Sequence, residues 1–282
     1  MKTSIALVFA LLLTAPTAAD PVDTDGDTLF IGHSLIAFDI PTIVQAFVAH
    51  AGGAGRTEAQ ITNGAPMLYN WQHSAQAQGV DARAVLPSGR FDAVVLTEAI
   101  PLANHLAYSD SVGTAAKFHA LATGANAGAQ VFLYETWHDL RSGTGVDVQW
   151  DEGDDVAWRA RLDADRGLWQ GIVDEVNAQR APGSPKMRVI PAGQAMGALA
   201  DAIAADRVPG VAAIDDLFDD SIHTNATGAY FVALVMVASI YGIDPVGLPH
   251  RVPLASYNRH AVPPETAAAL QRVAADVLTD RG

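Results

Sequence analysis

The chain has 282 residues, half of them hydrophobic, and a formal net charge of −14 at pH 7. The length suits one large α/β domain rather than two, and the negative charge argues against binding to nucleic acid or to an anionic membrane. Cysteine is absent, which excludes disulfides, a thiolate metal site and a thiol nucleophile. Any nucleophile must therefore be an oxygen.

The first nineteen residues have the three parts of a secretory signal: Lys2, an apolar core from Ile5 to Leu13, and small residues ending at Ala19. The apolar core is too short to span a bilayer. We therefore expect cleavage near Ala19, a secreted or periplasmic protein without stable membrane association, and a single domain over residues 20–282. The acidic segment Asp20 to Asp27 is expected to be a solvated leader, because its glycine and carboxylates do not match an EF-hand loop.

Next, an apolar run ends in glycine and serine, in the segment Leu29-Phe30-Ile31-Gly32-His33-Ser34-Leu35. A buried strand here would carry Ser34 past its carboxyl edge, where open α/β sheets bind ligands, and Gly32 would permit a tight turn. Gly-x-Ser after a strand is also an ordinary turn, so this segment alone does not identify a nucleophile.

Strands and helices are predicted to alternate along the rest of the chain. After the first strand, the predicted strands are Glu58 to Thr62, Ala93 to Leu96, Val131 to Tyr134 and Arg188 to Ile190. The predicted helices are Thr42 to Ala51, Ser111 to Ala127, Asp155 to Gln179, Ala226 to Tyr241 and Glu265 to Leu278. This alternation predicts an α/β protein with three layers, α/β/α, around a mostly parallel five-stranded sheet.

Glu135-Thr136-Trp137-His138 leaves the fourth strand at the same sheet edge as Ser34. Trp137 and His138 are therefore candidates to line a pocket and stack on a sugar, with a core tryptophan as the alternative. The acidic, glycine-bearing loop from Asp139 to Asp154 has the length of a specificity lid. The spacing of His138 and the aspartates of this loop matches no known set of metal ligands, so no metal is expected.

Near the end of the chain, Asp220 and His223 stand three residues apart on a turn before an apolar helix. That spacing puts both side chains on one face, so the carboxylate can hold the imidazole Nδ1–H while Nε2 remains free to take a serine proton. The alternative is a helix-capping aspartate beside a surface histidine.

Gly32-His33-Ser34-Leu35 and Asp220-Ser221-Ile222-His223 resemble the first and last blocks of the SGNH (GDSL-type) hydrolases, Gly-Asp-Ser-Leu and Asp-x-x-His. The chain is most similar to a subgroup with Ile-Gly-Asn-Ser at the nucleophile, and further matches are Val94-Val95-Leu96-Thr97-Glu98 and Ile190-Pro191-Ala192-Gly193-Gln194-Ala195. The resemblance implies an SGNH/flavodoxin-like fold with Ser34 as nucleophile, His223 as base and Asp220 as its orienter. It also implies an oxyanion hole made by the backbone N–H groups of Ser34 and Gly64, the latter in the turn Asn63-Gly64-Ala65-Pro66.

One family block is different here. Where SGNH proteins have Gly-x-Asn-Asp after the third strand, this chain has Thr97-Glu98-Ala99-Ile100. The third oxyanion donor could be a protonated Glu98, Asn104 a few residues on, or none beyond the two backbone groups. Glu98 and Asn104 are also candidates for contacts with substrate hydroxyls.

These observations lead to the hypothesis of an exported serine esterase that removes short acyl groups, acetyl above all, from a carbohydrate or another small ester and needs no cofactor. The alternatives are an acyltransferase to sugar hydroxyls and a non-catalytic carbohydrate-binding protein on the same scaffold. The sequence leaves the oligomeric state open.

Overall fold

The computed structural model describes residues 20–256 and 258–279. The predicted signal at residues 1–19 lies outside the described residues and stays a prediction.

A six-stranded sheet forms the middle of the domain, in the order β3-β2-β1-β4-β5-β6. Its strands are β1 Asp27–Gly32, β2 Thr57–Ile61, β3 Gln78–Gly79, β4 Phe91–Leu96, β5 Gln130–Tyr134 and β6 Arg188–Ile190. All neighbours pair in parallel except β2 and β3, which are antiparallel. The five predicted strands are confirmed as the parallel part. The sixth, β3, is a two-residue edge strand and is too short to leave a periodic signal in the sequence.

Nine α-helices occur among the described residues: α1 Asp39–His50, α2 Met67–Gln72, α3 Ala82–Val85, α4 Leu102–Tyr108, α5 Ser111–Ala125, α6 Trp158–Gln179, α7 Ala192–Ala204, α8 Ala226–Tyr241 and α9 Pro264–Thr279. Five of them were predicted, and their ends lie within three residues of the expected ones. A small antiparallel hairpin, β7 Arg251–Pro253 with β8 Arg259–Ala261, lies within the stretch before α9.

Two hydrophobic cores lie on opposite faces of the sheet. Along β1, Phe30 faces one core while Leu29 and Ile31 face the other, as the alternation of side chains on a strand requires. The Phe30 core is filled by residues of α1, α7, α8 and α9, and the other core by residues of α2, α5 and α6. The predicted α/β/α layering is therefore confirmed.

Helix α8 is the most completely buried helix of the structure. Twelve of its 16 residues are buried, so its surface is apolar almost all round. Across the described ranges, no helix has both the length and the apolar character to cross a membrane. The helix therefore provides a rigid base for the loop that precedes it, which carries His223.

The acidic segment before β1 is more ordered than expected. The Asp25 carboxylate accepts the Ala54 N–H (2.8 Å), and the Asp27 carboxylate accepts the Arg56 N–H (2.9 Å). The Val22 N–H donates to the carbonyl of Ile240 at 2.9 Å. The expectation of a solvated leader was wrong: the segment satisfies backbone donors of the turn after α1.

Candidate active site

Ser34 follows β1, the strand from which the sheet extends in both directions, towards β2 on one side and towards β4 on the other. Strand β2 lies on one side of β1 and β4 on the other, so the carboxyl end of β1 is the topological switch point at which such sheets bind ligands. The carbonyl of His33 accepts the N–H groups of Ile36 (2.9 Å) and Ala37 (3.2 Å), which closes a tight turn around a half-buried Ser34. The serine is thus held at the sheet edge by backbone geometry.

The loop carrying Asp220 and His223 is a compact turn in front of α8. The Asp219 N–H donates to the His223 carbonyl at 2.8 Å, and Phe218 pairs with Thr224 across the turn. Asn225 caps the helix by accepting the N–H groups of two residues in its first turn. His223 therefore extends from a turn that is closed at its base and anchored on a buried helix.

Ser34, His223 and Asp220 form a continuous chain of hydrogen bonds. His223 Nε2 lies 2.9 Å from Ser34 Oγ, and His223 Nδ1 lies 2.7 Å from Asp220 Oδ2. Because the carboxylate can only accept, Nδ1 carries the hydrogen and Nε2 is free to accept the serine proton. Two side chains 189 residues apart in sequence thus meet with the geometry of an activated hydroxyl.

Asp220 is held as an anion by its own loop. Its Oδ1 accepts the N–H groups of Ile222 (2.8 Å) and His223 (2.7 Å). Burial would raise the pKa of Asp220, but the hydrogen bonds from His223 and Ile222 outweigh it and lower the pKa from 3.8 to about 2. Asp219, the other candidate partner, contacts His223 through its backbone N–H.

Trp137 is a core residue and not a pocket wall. Its ring is fully buried and packs edge-on against Tyr134 and Phe218. Its indole N–H donates to the carbonyl of Ile222, beside His223, at 2.8 Å. The expectation that Trp137 stacks on a sugar was therefore wrong, because packing on the apolar face of the sheet leaves no ring surface open. The indole instead supports the turn that carries His223.

The first residues of the predicted lid are hydrogen-bonded to the turn that carries His223. Asp139 Oδ2 accepts the hydroxyl of Ser221 (2.7 Å), and the Leu140 N–H donates to the Ser221 carbonyl (2.7 Å). Arg141 pairs with both oxygens of Asp139, at 2.9 and 2.7 Å. No sequence pattern predicted this contact, since it joins residues 82 positions apart.

Gly64 occupies the turn predicted for it, next to the nucleophile strand. The Thr62 N–H donates to the carbonyl of Gly32 (2.9 Å), and the Ala65 N–H donates to that of Thr62 (3.1 Å). Gly64 has φ +68°, which favours glycine. Within residues 20–256 and 258–279, the N–H groups of Ser34 and Gly64 donate to no acceptor. Both are therefore free to bind an anionic oxygen.

Glu98 is a buried residue that binds backbone groups on two neighbouring segments. Its side chain is fully buried, and Oε1 accepts the N–H groups of Met67 (2.9 Å) and Ala99 (2.8 Å). Met67 lies three residues after Gly64, at the start of α2. The expected contact with a substrate hydroxyl was therefore wrong, because the side chain is closed off from solvent. Among the described residues Oε2 is buried without a hydrogen-bond partner, and the role of a protonated donor stays a prediction. The carboxylate ties the Gly64 turn to the end of β4.

We expect Glu98→Ala to lower kcat for every ester by roughly 10- to 100-fold, less than the 100- to 1000-fold typical of losing a donor itself. The substitution orphans two buried N–H groups, each costing about 1–3 kcal/mol of unfolding free energy, and loosens the Gly64 turn. Glu98→Gln is the matched control, because its amide oxygen can accept both N–H groups. Steady-state kinetics and urea unfolding test this. Equal defects in both variants would show that the charge matters and not the hydrogen bonds.

His33 is turned inward, away from Ser34 Oγ. Its Nε2–H donates to the carbonyl of Glu98 (3.1 Å), and Nδ1 accepts the Leu35 N–H (3.3 Å). Burial lowers the pKa of His33 from 6.5 to about 4. The imidazole is thus a neutral link between the Ser34 turn and the end of β4. Glu98 contacts the segments next to Ser34 and Gly64 through two different oxygens, its carbonyl oxygen and Oε1.

His33 gives the stability of the protein a pH dependence. As the pH is lowered from 6.5 to about 4, the unfolded chain takes up a proton at His33 that the folded protein does not. The free energy of unfolding should therefore decrease by up to about 3 kcal/mol as the pH is lowered through this range. His33→Asn should flatten this slope in urea titrations between pH 7 and 4. His50→Asn, at an exposed position, should leave it unchanged. An unaltered slope in His33→Asn would contradict the assignment.

The two remaining predicted site residues are not directed at Ser34. His138 is buried, and its Nε2 lies 2.8 Å from Asp165 on α6. Asn104, on α4, donates from Nδ2 to the carbonyl of Trp150 at 2.8 Å, so it fixes the lid and does not supply an oxyanion donor. Among the described residues no group of histidines and carboxylates could hold a metal ion.

A small cavity lies beside the triad. It measures about 230 Å³ and is lined by Ile100, Pro101, Asp139, Arg141, Val148, Gln149, Asp151 and Ile222. Its polar walls are neutralised in pairs, since Asp139 is bound by Arg141 and Asp151 by Arg161. A larger cavity of about 800 Å³ lies between α5 and the loop after α6. None of the larger cavity's lining residues adjoins the triad in sequence, whereas Ile222 of the smaller cavity directly precedes His223.

Comparison with known proteins adds a likeness of fold. No protein-family model matches the sequence, and no curated protein matches it. A DUF4886 family protein from Bacteroides uniformis ATCC 8492 has 15% sequence identity and a TM-score of 0.66 over 90% of this chain and 94% of that chain. At that identity the likeness concerns the fold alone.

Two enzymes are more distant in structure. A carbohydrate esterase family 3 protein from Talaromyces cellulolyticus has a TM-score of 0.46 and 13% identity over 76% of this chain and 95% of that chain. Phospholipase A1 from Streptomyces albidoflavus NA297 has a TM-score of 0.43 and 12% identity over 76% of this chain and 98% of that chain. Scores this low add nothing about activity.

The layer order, the parallel sheet and the serine at its switch point agree with the expectation drawn from the sequence blocks. The last block, Asp220 to His223, lies at the same sheet edge and reaches Ser34. The chain therefore has a three-layer α/β/α fold with a mostly parallel sheet, consistent with the SGNH/flavodoxin-like fold expected from the sequence.

Proposed function

We propose that this protein is an exported serine esterase that removes short acyl groups, acetyl above all, from a carbohydrate ester. One observation carries the proposal: the hydrogen-bonded series Ser34 Oγ, His223 Nε2, His223 Nδ1 and Asp220 Oδ2. A serine aligned with an imidazole whose tautomer is fixed by a carboxylate is suited to nucleophilic acyl transfer.

In the first half of the reaction, His223 Nε2 takes the proton of Ser34 Oγ as that oxygen attacks the ester carbonyl. The carbonyl oxygen becomes an oxyanion, and the free N–H groups of Ser34 and Gly64 donate to it. Asp220 stabilises the imidazolium that forms. When the tetrahedral intermediate collapses, the C–O bond to the alcohol breaks and His223 returns the proton to the leaving oxygen.

In the second half, water takes the place of the alcohol. His223 deprotonates it, the hydroxide attacks the acyl-Ser34 carbonyl, and collapse releases the carboxylic acid and restores the Ser34 hydroxyl. Each step uses side chains, backbone donors and water.

The size and lining of the cavity beside the triad support a small acyl group or a single sugar ring. Its volume of about 230 Å³ is below the roughly 300–1,000 Å³ of sites for larger ligands. Its apolar wall is formed by Ile100, Pro101, Val148 and Ile222.

A series of p-nitrophenyl esters from acetate to dodecanoate tests the activity. We expect kcat/KM to be highest for acetate or propionate and to fall steeply beyond butyrate. A folded protein that turns over none of these esters would contradict an esterase function, and a preference for long chains would contradict the acyl size.

Export is proposed from the sequence of residues 1–19. Mass spectrometry of protein made in its native host should give an amino terminus near Asp20 in the periplasm or medium. Intact Met1 in the recovered protein would contradict export by this route.

A further inference from the structure

Two aromatic rings stand out in solvent near the candidate active site. Tyr108 is 85% exposed and Trp150 is 80% exposed, the highest values for any large hydrophobic side chain among the described residues. A single exposed apolar residue is ordinary, but two large aromatic rings exposed on linked elements are candidates for contact with a ligand. We call these two residues the aromatic rim.

The structure holds the two rim residues on neighbouring elements. Asn104 of α4 donates to the Trp150 carbonyl at 2.8 Å, which fixes the lid to that helix. Tyr108 lies four residues after Asn104 on α4, so it lies one turn further along the same face. The backbone of Trp150 is therefore fixed to the helix that carries Tyr108.

Trp150 has a backbone conformation that is unfavourable for its residue type. Its φ of +66° is in the left-handed region, which is unfavourable for a bulky side chain. The indole gains no burial in return, and among the described residues its N–H meets no acceptor. Strain that packing does not offset is typical of residues kept for contact with a ligand.

The aromatic rim leads directly to the cavity beside the triad. Gln149, the neighbour of Trp150, lines that cavity, and so do Ile100 and Pro101, which immediately precede α4. The same cavity is also lined by Ile222, the residue before His223. A ligand lying on the rim can thus continue towards Ser34.

The charge of the lid decides which kind of ligand fits. Asp147, Glu152 and Asp155 are exposed around Trp150, so the surface repels polyanions and anionic membranes. Carboxylates can accept hydrogen bonds from hydroxyl groups, and an aromatic face packs against apolar C–H surfaces. A neutral sugar ring offers both.

We propose that Tyr108 and Trp150 bind a sugar ring of a neutral polysaccharide and present a neighbouring acyl ester of that chain to Ser34. This inference rests on the proposed function, because it names the substrate class of the same site. Binding is measurable without turnover, so the two can fail separately.

The test uses the full chain with Ser34→Ala, which cannot turn over the ligand, and measures depletion from solution by insoluble acetylated xylan, acetylated mannan and cellulose. We expect binding to at least one of them. Trp150→Ala and Tyr108→Ala should each weaken it roughly 2- to 10-fold, and Trp150→Tyr should recover most of the loss. Val246→Ala, at a position 53% exposed beyond the far end of α8, is the control and should bind normally.

Trp150→Gly separates the ring from the backbone. Glycine suits the positive φ, so this variant should melt at or above the temperature of the parent protein while losing binding as Trp150→Ala does. In the catalytically active protein, the ratio of kcat/KM for acetylated xylan to that for p-nitrophenyl acetate should fall with each rim substitution.

Three results would overturn the proposal. They are absence of binding to all three polysaccharides, equal binding by the rim variants and Val246→Ala, and binding to phosphatidylcholine vesicles that requires Trp150 while polysaccharide binding does not. Esterase activity on p-nitrophenyl acetate alongside any of them would leave the proposed function intact.

Discussion

Ser34→Ala is expected to lower kcat for p-nitrophenyl acetate by roughly 10⁴- to 10⁶-fold, to a residual rate set by the oxyanion donors and binding. The substitution removes the oxygen that His223 Nε2 contacts at 2.9 Å. The hydroxyl is half-buried at a turn and is hydrogen-bonded to the half-buried His223. The free energy of unfolding should therefore change little.

A fluorophosphonate probe gives an independent readout of the same prediction. It should label the wild-type protein once, at Ser34, and should not label Ser34→Ala. Ser88→Ala, whose exposed hydroxyl donates to the Val85 carbonyl, is the matched control and should be labelled and active. Labelling or undiminished turnover in Ser34→Ala would mean that another side chain is the nucleophile.

His223→Ala should be nearly as damaging as Ser34→Ala, because without the imidazole the serine proton has no acceptor. Asp220→Asn should leave a low but measurable rate, down by about 10³- to 10⁴-fold. The amide can donate to Nδ1, which favours the tautomer with its hydrogen on Nε2, where the base must be free.

Asp219→Asn is the control for Asp220→Asn, because Asp219 contacts His223 through its backbone N–H alone and the exchange preserves that contact. We expect near-normal kinetics. If Asp219→Asn were the more damaging of the two, the assignment of Asp220 as the partner of His223 would be wrong.

Local sequence was sufficient to predict the sheet. Strands β1, β4 and β5 contain short apolar runs, such as Val94 and Val95 in β4, and a strand buried on both faces needs little else. Helix α7 was not predicted from the sequence. Pro191 precedes its first residue, and Gly193 and Gly197 lie within it, and these residue types weaken a local helical signal. Its buried face against the sheet stabilises it, and such packing is not visible from local propensity.

The triad could be proposed from two short blocks, because a nucleophile, a base and an orienter must have particular chemistry. The supporting residues could not. Trp137 and Trp150 are equally plausible sugar contacts by residue type, yet one is fully buried and the other 80% exposed. The burial of each ring depends on residues far along the chain, such as Ile222, whose carbonyl accepts the Trp137 indole N–H. Glu98 was misassigned for the same reason, since its partner Met67 lies 31 residues earlier.

The hydrogen bond between Asp139 and Ser221 joins the predicted lid to the turn that holds His223, the proposed general base. A ligand that immobilises the lid therefore also reduces the conformational freedom of His223. The free energy of binding at the lid, remote from the reacting carbonyl, then offsets the entropic cost of aligning His223 with Ser34. If the proposed function and the proposed polysaccharide contact are correct, a longer glycan should raise the rate of the chemical step itself and not only tighten binding.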